Sequence, residues 1–271
     1  MPKAWLIRVV IDAVRDACRR TGFFQVRFFA LPPDEKKKLD ATTTIGRRGY
    51  DVLASQSYHV DTLPDLKEGF YVGHDVPLGD PKAQTRRFFM GPNVWPEPEV
   101  LGRSDFRDPA EAYFEAVHGL ALKMLELIEG TLPYGKGIFR EFAAGHTVSV
   151  LRMLHYPPAP PPRNSPGGGK KQQLGAGAHI DFGAITVLLQ DEHPGLEVLD
   201  PETKYKSTCS VHRVINKAPT DRYSAVFFYD GALDCPLTPL NQLVEEREDV
   251  LTVEKHTIKR ITDSYGPAQK S

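Results

Sequence analysis

The stretch AHIDFGAITVLLQ at 178–190 constrains this chain more than any other. It sets an imidazole, His179, two residues before a carboxylate, Asp181, at the mouth of an apolar run. Residues i and i+2 of an extended strand project to the same side. One strand through this stretch would let both side chains reach one ion, while Ile185, Val187 and Leu189 carry it into a core. A second imidazole, His212, lies in the alternating segment STCSVHRV. Two histidines and one carboxylate are the ligand set of a facial iron site that keeps coordination positions open. An H-x-D alone occurs on many surface strands, so the residues beyond it matter. Arg222 and Ser224 open the strand YSAVFFYD and share a face. A guanidinium beside a hydroxyl forms a fork for a carboxylate. Metal site and fork together suggest a keto acid that chelates at one end and is anchored at the other.

The order H-x-D, H-R-V, R-x-S resembles the Fe(II)/2-oxoglutarate-dependent dioxygenases of the isopenicillin-N-synthase-like type. The resemblance covers most of the chain. TGFFQV, FFALPPDEKKKL, RRGYD, LKEGFYVG, GPNVWP, LHYPPAP, AHIDFGAITVLLQD, GLEVL, STCSVHRV and DRYSAVFF follow one another as such phrases do in that family. It implies a mainly β fold with flanking helices around a double-stranded β-helix (jelly-roll, cupin-like) core. It also implies iron ligands at His179, Asp181 and His212, with 2-oxoglutarate held by Arg222, Ser224 and Tyr156. Arg152 and Phe182 are substrate-contact candidates, Arg152 being equally readable as an ion-paired strand residue. No catalytic residue beyond the metal ligands is implied. The implied cofactors are Fe(II), 2-oxoglutarate and O2, with ascorbate beside them. The implied reaction hydroxylates or desaturates a small natural-product-type substrate and yields succinate and CO2. Some relatives use the R-x-S pair for a substrate carboxylate instead, which leaves an oxidase independent of 2-oxoglutarate as an alternative.

With 271 residues, a formal net charge of −1 and 25% charged residues, the chain can bury one sizeable core and lacks the basic excess of a nucleic-acid surface. No apolar run reaches membrane-span length, so no membrane partner is expected. The N-terminal MPKAWLIRVVIDAV is interrupted by Arg8 and Asp12 and makes a poor signal peptide. Cys18, Cys209 and Cys235 show neither a disulfide nor a zinc pattern. A cytoplasmic monomer is the expectation.

Periodicity predicts a helix over 5–20, a short strand at FFQV, a helix from Asp34 to Leu39, and mostly loop over 40–107 with Phe70, Tyr71 and Trp95 in the core. A long helix follows, with Asp108 as cap, Pro109 in the first turn and Gly130 at its close. Its stripe runs Tyr113, Val117, Leu120, Met124, Leu127 and Ile128, with His118 as a structural neighbour. Residues 146–157 read as the first core strand and 157–177 as a Pro- and Gly-rich flap. The tail ends in a charged helix docked by Val250, Val253 and Ile258, with His256 at the surface. The domain division is therefore 1–145 as a helical and loop region, 146–235 as core, and 236–271 as tail.

Two departures from the family pattern stand out. Val26 runs straight into Arg27, where relatives carry a loop and a helix. GLEVLDPET passes directly to KYKSTCSVHRV, where relatives carry further strands. His179 and His212 stand only 33 positions apart. The β-helix should therefore lack central strands and expose unpaired edges. A truncated, non-catalytic remnant or isoform remains the alternative of a different class.

Overall fold

The computed structural model describes residues 24–57, 63–85, 87, 89–160, 163–164, 170–171, 173–199, 211–240 and 250–265. The expected helix over 5–20 and the Thr203–Lys204 junction lie outside them. In chain order the elements are α1 (Gln25–Phe29), α2 (Pro33–Lys37), β1 (Gly49–Asp51), β2 (Glu68–Gly73), α3 (Pro81–Gln84), α4 (Arg107–Glu129) and β3 (Thr147–Tyr156). There follow β4 (Arg163–Asn164), β5 (Lys170–Lys171), β6 (Ala176–His179), β7 (Ile185–Gln190), β8 (Leu196–Val198), β9 (His212–Val214), β10 (Arg222–Ala232) and α5 (Val253–Tyr265).

Two antiparallel sheets face each other in the jelly-roll manner. The larger runs β1-β2-β3-β10-β7 and the smaller β6-β9-β8, with β4 and β5 forming a short ribbon. β3 and β10 hold the larger sheet together, paired from Arg222↔Tyr156 to Ala232↔Thr147. Both are buried along nearly their whole length. α4 covers the outer face of this sheet with Ala110, Tyr113, Phe114, Val117, Ala121 and Leu125. Phe28, Phe70, Phe106, Leu151, Met153 and Phe227, none more than 1% exposed, fill the space around it.

Among the described residues β7 pairs only with β10, and β8 only with β9. β7 thus ends the larger sheet, and β8, the last described strand before the expected deletion, ends the smaller. Leu188, Val198 and Leu199 stand 37%, 56% and 43% exposed there. Such edges carry unpaired backbone donors and acceptors.

Several sequence expectations need correction. FFQV is not a strand: Gln25–Phe29 is helical, because Phe24 and Phe28 at i and i+4 share a face and both pack on Phe106. The Val26–Arg27 junction therefore lies inside a continuous helix. KEGFYVG is a strand rather than loop. It is buried on both faces, so no alternation betrayed it. Phe70 and Tyr71 are buried, and Trp95 packs against Phe70.

α4 begins at Arg107 with Phe106 in the cap position and no side-chain cap, so Asp108 sits inside the first turn and Gly130 takes the C-cap. In its later turns the buried stripe follows Ala121 and Leu125, leaving Leu127 and Ile128 exposed. His118 packs among His74, Phe114 and Phe227. The stretch 178–190 is not one strand. It leaves the smaller sheet at His179, turns through 180–184 and enters the larger sheet as β7. The tail helix starts only at Val253, and Ile258 points outward.

Candidate metal centre and carboxylate pocket

Pairing of β6 with β9 sets His179 directly opposite His212, their ring centroids 4.3 Å apart. Asp181 lies in the turn after β6 and swings back toward both. Its Oδ1 is 3.9 Å from His179 Nε2 and 3.6 Å from His212 Nε2. One donor atom from each of the three lies within 4.8 Å of the others. His179 Nδ1 donates to the Gly177 carbonyl at 2.7 Å, which places the proton there and leaves Nε2 as a lone-pair donor. Burial pushes the His179 pKa down to about 3, so the ring is neutral near pH 7. Thr186 Oγ1 donates to Asp181 Oδ2 at 2.7 Å and turns the other oxygen toward the imidazoles. Two imidazoles and a carboxylate fit a ferrous ion.

The three line a cavity of about 270 Å³ between the sheets, mostly apolar in its walls. Tyr156, Arg222 and Ser224 stand at another part of this wall. Arg222 is 1% exposed, its guanidinium 4.9 Å over the Tyr156 ring. Its Nε donates to the His193 carbonyl at 3.2 Å and its Nη2 to Gln190 Oε1 at 2.9 Å. Gly195 leaves room for this arm; a Cβ there would meet the Ile215 carbonyl at 2.7 Å. Arg222 Nη1 and Ser224 Oγ are buried without a hydrogen-bond partner. Two orphan donors side by side are what a bound carboxylate would satisfy. Burial raises the Tyr156 hydroxyl pKa, so it stays protonated and able to donate.

Arg152 and Phe182 also line the cavity. Arg152 is the ion-paired strand residue of one expectation, and it also faces the cavity. It pairs with Asp51, donates to Gln56 Oε1 at 3.2 Å and lies 4.9 Å over the Tyr71 ring, yet it shares a wall with Leu154 and Tyr156.

Wall residues that the sequence did not mark include Gln56, Lys67, Asp230, Thr257 and Ile261. Lys67 is buried beside Asp65 at 2.6 Å, and burial draws its pKa down to about 8. Asp65 also accepts from the Gly177 amide at 2.8 Å, which supports the strand carrying His179. Asp230 stands at a β-bulge in β10, where an extra residue can be aimed inward. Burial, and then the neighbouring Asp181 charge, push its carboxyl up to about 7, and its Oδ1 has no partner. The Asp-Gly that closes YSAVFFYDG was the available signal, since Gly231 has φ +87°. Nothing in the sequence pointed to Thr257.

Residues 26–98 match a family described as non-haem dioxygenase in morphine synthesis N-terminal, and residues 147–231 match the 2OG-Fe(II) oxygenase superfamily. The chain is 45% identical to citB, a 2-oxoglutarate-dependent dioxygenase of Monascus ruber, over 98% of this chain and 92% of that one. It is 42% identical to the clavatol oxidase claD of Penicillium crustosum, over 95% and 91%. These alignments extend over 312 and 313 positions, more than the 271 residues present here. Both relatives thus carry internal residues that this chain lacks. In fold the chain is similar to a Neurospora crassa protein solved in complex with alpha-KG, with a TM-score of 0.67, 22% identity, and 91% and 82% of the two chains covered.

Proposed function

This chain belongs to the 2OG-Fe(II) oxygenase superfamily, and we propose that His179, Asp181 and His212 hold its Fe(II) while Arg222, Ser224 and Tyr156 anchor 2-oxoglutarate. The convergence of three donor atoms on one side of a mostly apolar cavity carries this reading. When bound, iron supplies the oxygen chemistry that couples conversion of 2-oxoglutarate and O2 to succinate and CO2 with substrate oxidation. The side chains do the rest. His179 keeps its proton on Nδ1 and its ring neutral, Thr186 orients Asp181, and the orphan donors of Arg222 and Ser224 receive a carboxylate. The apolar walls exclude water from that union.

The substrate in this reading is a small secondary metabolite, chiefly apolar, with a few polar groups to meet Arg152, Lys67 or Asp230. Clavatol, the compound in one relative's name, marks the class. Ascorbate as a reductant keeping iron ferrous, a monomeric state and a cytoplasmic location complete the proposal. The absence of a disulfide pattern among Cys18, Cys209 and Cys235 supports the location. No helix among the described residues is long and apolar enough to cross a membrane.

Anaerobic titration with Fe(II) and then 2-oxoglutarate tests the reading. A saturable visible charge-transfer band supports it, followed by succinate release in screens of candidate substrates. A folded chain that gives no band sinks it for this chain. The exposed edges at β7 and β8 favour one second reading, a shortened form that keeps the ligands but not turnover. A saturable band with no succinate release, cured by inserting the relatives' missing segment after β8, would establish that form.

A further inference from the structure

The turn that bears Asp181 belongs to neither sheet. Residues 180–184 connect β6 in the smaller sheet to β7 in the larger outside both strands, with the Ala184 amide donating to the Tyr229 carbonyl at 3.2 Å where β7 is about to begin. α5 supplies what pairing does not. Arg260 Nη2 donates to the Ile180 carbonyl at 3.1 Å, and the guanidinium lies 4.7 Å over the Phe182 ring. One helical turn earlier, His256 Nε2 is 3.2 Å from the Phe182 carbonyl and donates to it. The residues on both sides of Asp181 are therefore gripped by an i, i+4 pair on one helix. Expected at the surface, His256 is instead half-buried against this turn.

The helix is itself fastened at both ends. Val253 and Glu254 donate their amides to the carbonyls of Cys235 and Leu233, and Arg87 pairs with Glu254 at 2.8 Å and Asp234 at 2.7 Å. At the far end Ser57 donates its amide to the Ser264 carbonyl at 3.1 Å, and Gln56 Nε2 reaches Ser264 Oγ at 3.1 Å. Between the two clasping residues and just beyond them, Thr257 and Ile261 close the cavity wall.

We propose that α5 is a positioning clasp for the metal-ligand turn, in which Arg260 and His256 fix the backbone around Asp181 so that its carboxylate meets the two imidazoles. Neither residue touches the ion; both act through Asp181. The proposal rests on the ligand assignment above, and its test separates the two. Arg260→Ala removes the bond to Ile180, Arg260→Lys can restore a donor, and Arg87→Ala loosens the start of α5 without touching the turn.

The first readout is hydrogen exchange of the peptide covering 178–190 in metal-free protein. The second is the dissociation constant for Co(II) or Fe(II) by anaerobic titration. Arg260→Ala is expected to speed exchange in that peptide and weaken metal binding roughly tenfold, the effect of losing an outer support of a ligand. Arg260→Lys is expected to recover part of both, and Arg87→Ala to lower thermal stability with metal affinity within about twofold. An Arg260→Ala protein that loses stability as Arg87→Ala does, with unchanged exchange at 178–190 and unchanged metal affinity, overturns the clasp. If the unaltered chain binds no metal, the ligand assignment fails, and the exchange comparison alone then decides the clasp.

Discussion

The two sheets of this molecule are built to different standards. β3 and β10 run side by side in unbroken register up to the bulge at Asp230, and nearly every residue in them is buried. β6, β8 and β9 are three or four residues long and only partly buried. The proposed anchor residues Tyr156, Arg222 and Ser224 stand on the long pair, whereas His179 and His212 stand on the short strands and Asp181 on no strand at all. A long buried pair holds its side chains chiefly by packing, with Arg222 further held by the His193 carbonyl and Gln190. The short sheet cannot, and His179 and the turn of Asp181 are propped by the Gly177 carbonyl, Thr186 and the C-terminal helix. Precision at the proposed metal end comes from individual hydrogen bonds, and at the anchor end from the core.

That contrast can be broken by mutation. The largest effect is expected from Asp181→Ala or His179→Ala, which should abolish the charge-transfer band and succinate formation while leaving the metal-free thermal midpoint nearly unchanged. A collapse of the midpoint would mean that these residues hold the fold as well. Arg222→Ala should act on both counts. Loss of its charge-assisted bonds should weaken 2-oxoglutarate about 10- to 100-fold. Emptying a site that is 1% exposed should cost about 2–4 kcal/mol in denaturant unfolding. Unchanged 2-oxoglutarate affinity would remove Arg222 and Ser224 from the anchor.

A third test sharpens the contrast through pH. On the long-strand side, burial opposes protonation of His155, yet its bonds to Glu68 at 2.7 Å and Asp221 at 3.0 Å hold its pKa above the ordinary imidazole value. The folded chain thus binds this proton more tightly than the unfolded one. Stabilisation is complete below about pH 6.5 and is lost as pH rises through the folded value. The difference in urea midpoint between the native chain and His155→Gln should accordingly shrink from about pH 6 to about pH 9. A gap that stays constant would show that His155 does not titrate in this window. The smallest effect is expected at the edge. Leu199→Lys should change stability by no more than about 0.5 kcal/mol while lowering concentration-dependent light scattering. Unaltered scattering would show that the open edge of β8 is not adhesive.

What could be read from the residue string follows the same division. The shared face of Arg222 and Ser224 was legible because they lie on one regular strand, where period two holds over many residues. Placing His179 and Asp181 on one strand reached the right neighbours by the wrong geometry: their convergence comes from a turn, and the i, i+2 rule does not operate there. β2 was invisible because burial on both faces erases alternation. FFQV misled because aromatic residues favour strands in isolation, while here the Phe24–Phe28 spacing and the ring of Phe106 decide for helix. The role of α5 could not be read at all. Arg260 and His256 act on backbone carbonyls 80 and 74 residues away, and a carbonyl has no residue type.

The cross-strand placement of His179 against His212 has a consequence for how the chain reaches its final form. A slip of one residue between β6 and β9 would turn one imidazole to the opposite face, so only one of the pairings open to these short strands brings the rings together. Strands this short discriminate weakly among alignments by themselves. A divalent cation present during refolding would reward the single competent alignment and drain the others, because its binding energy becomes folding energy for that sheet. The ion would then proofread strand pairing before any substrate arrives.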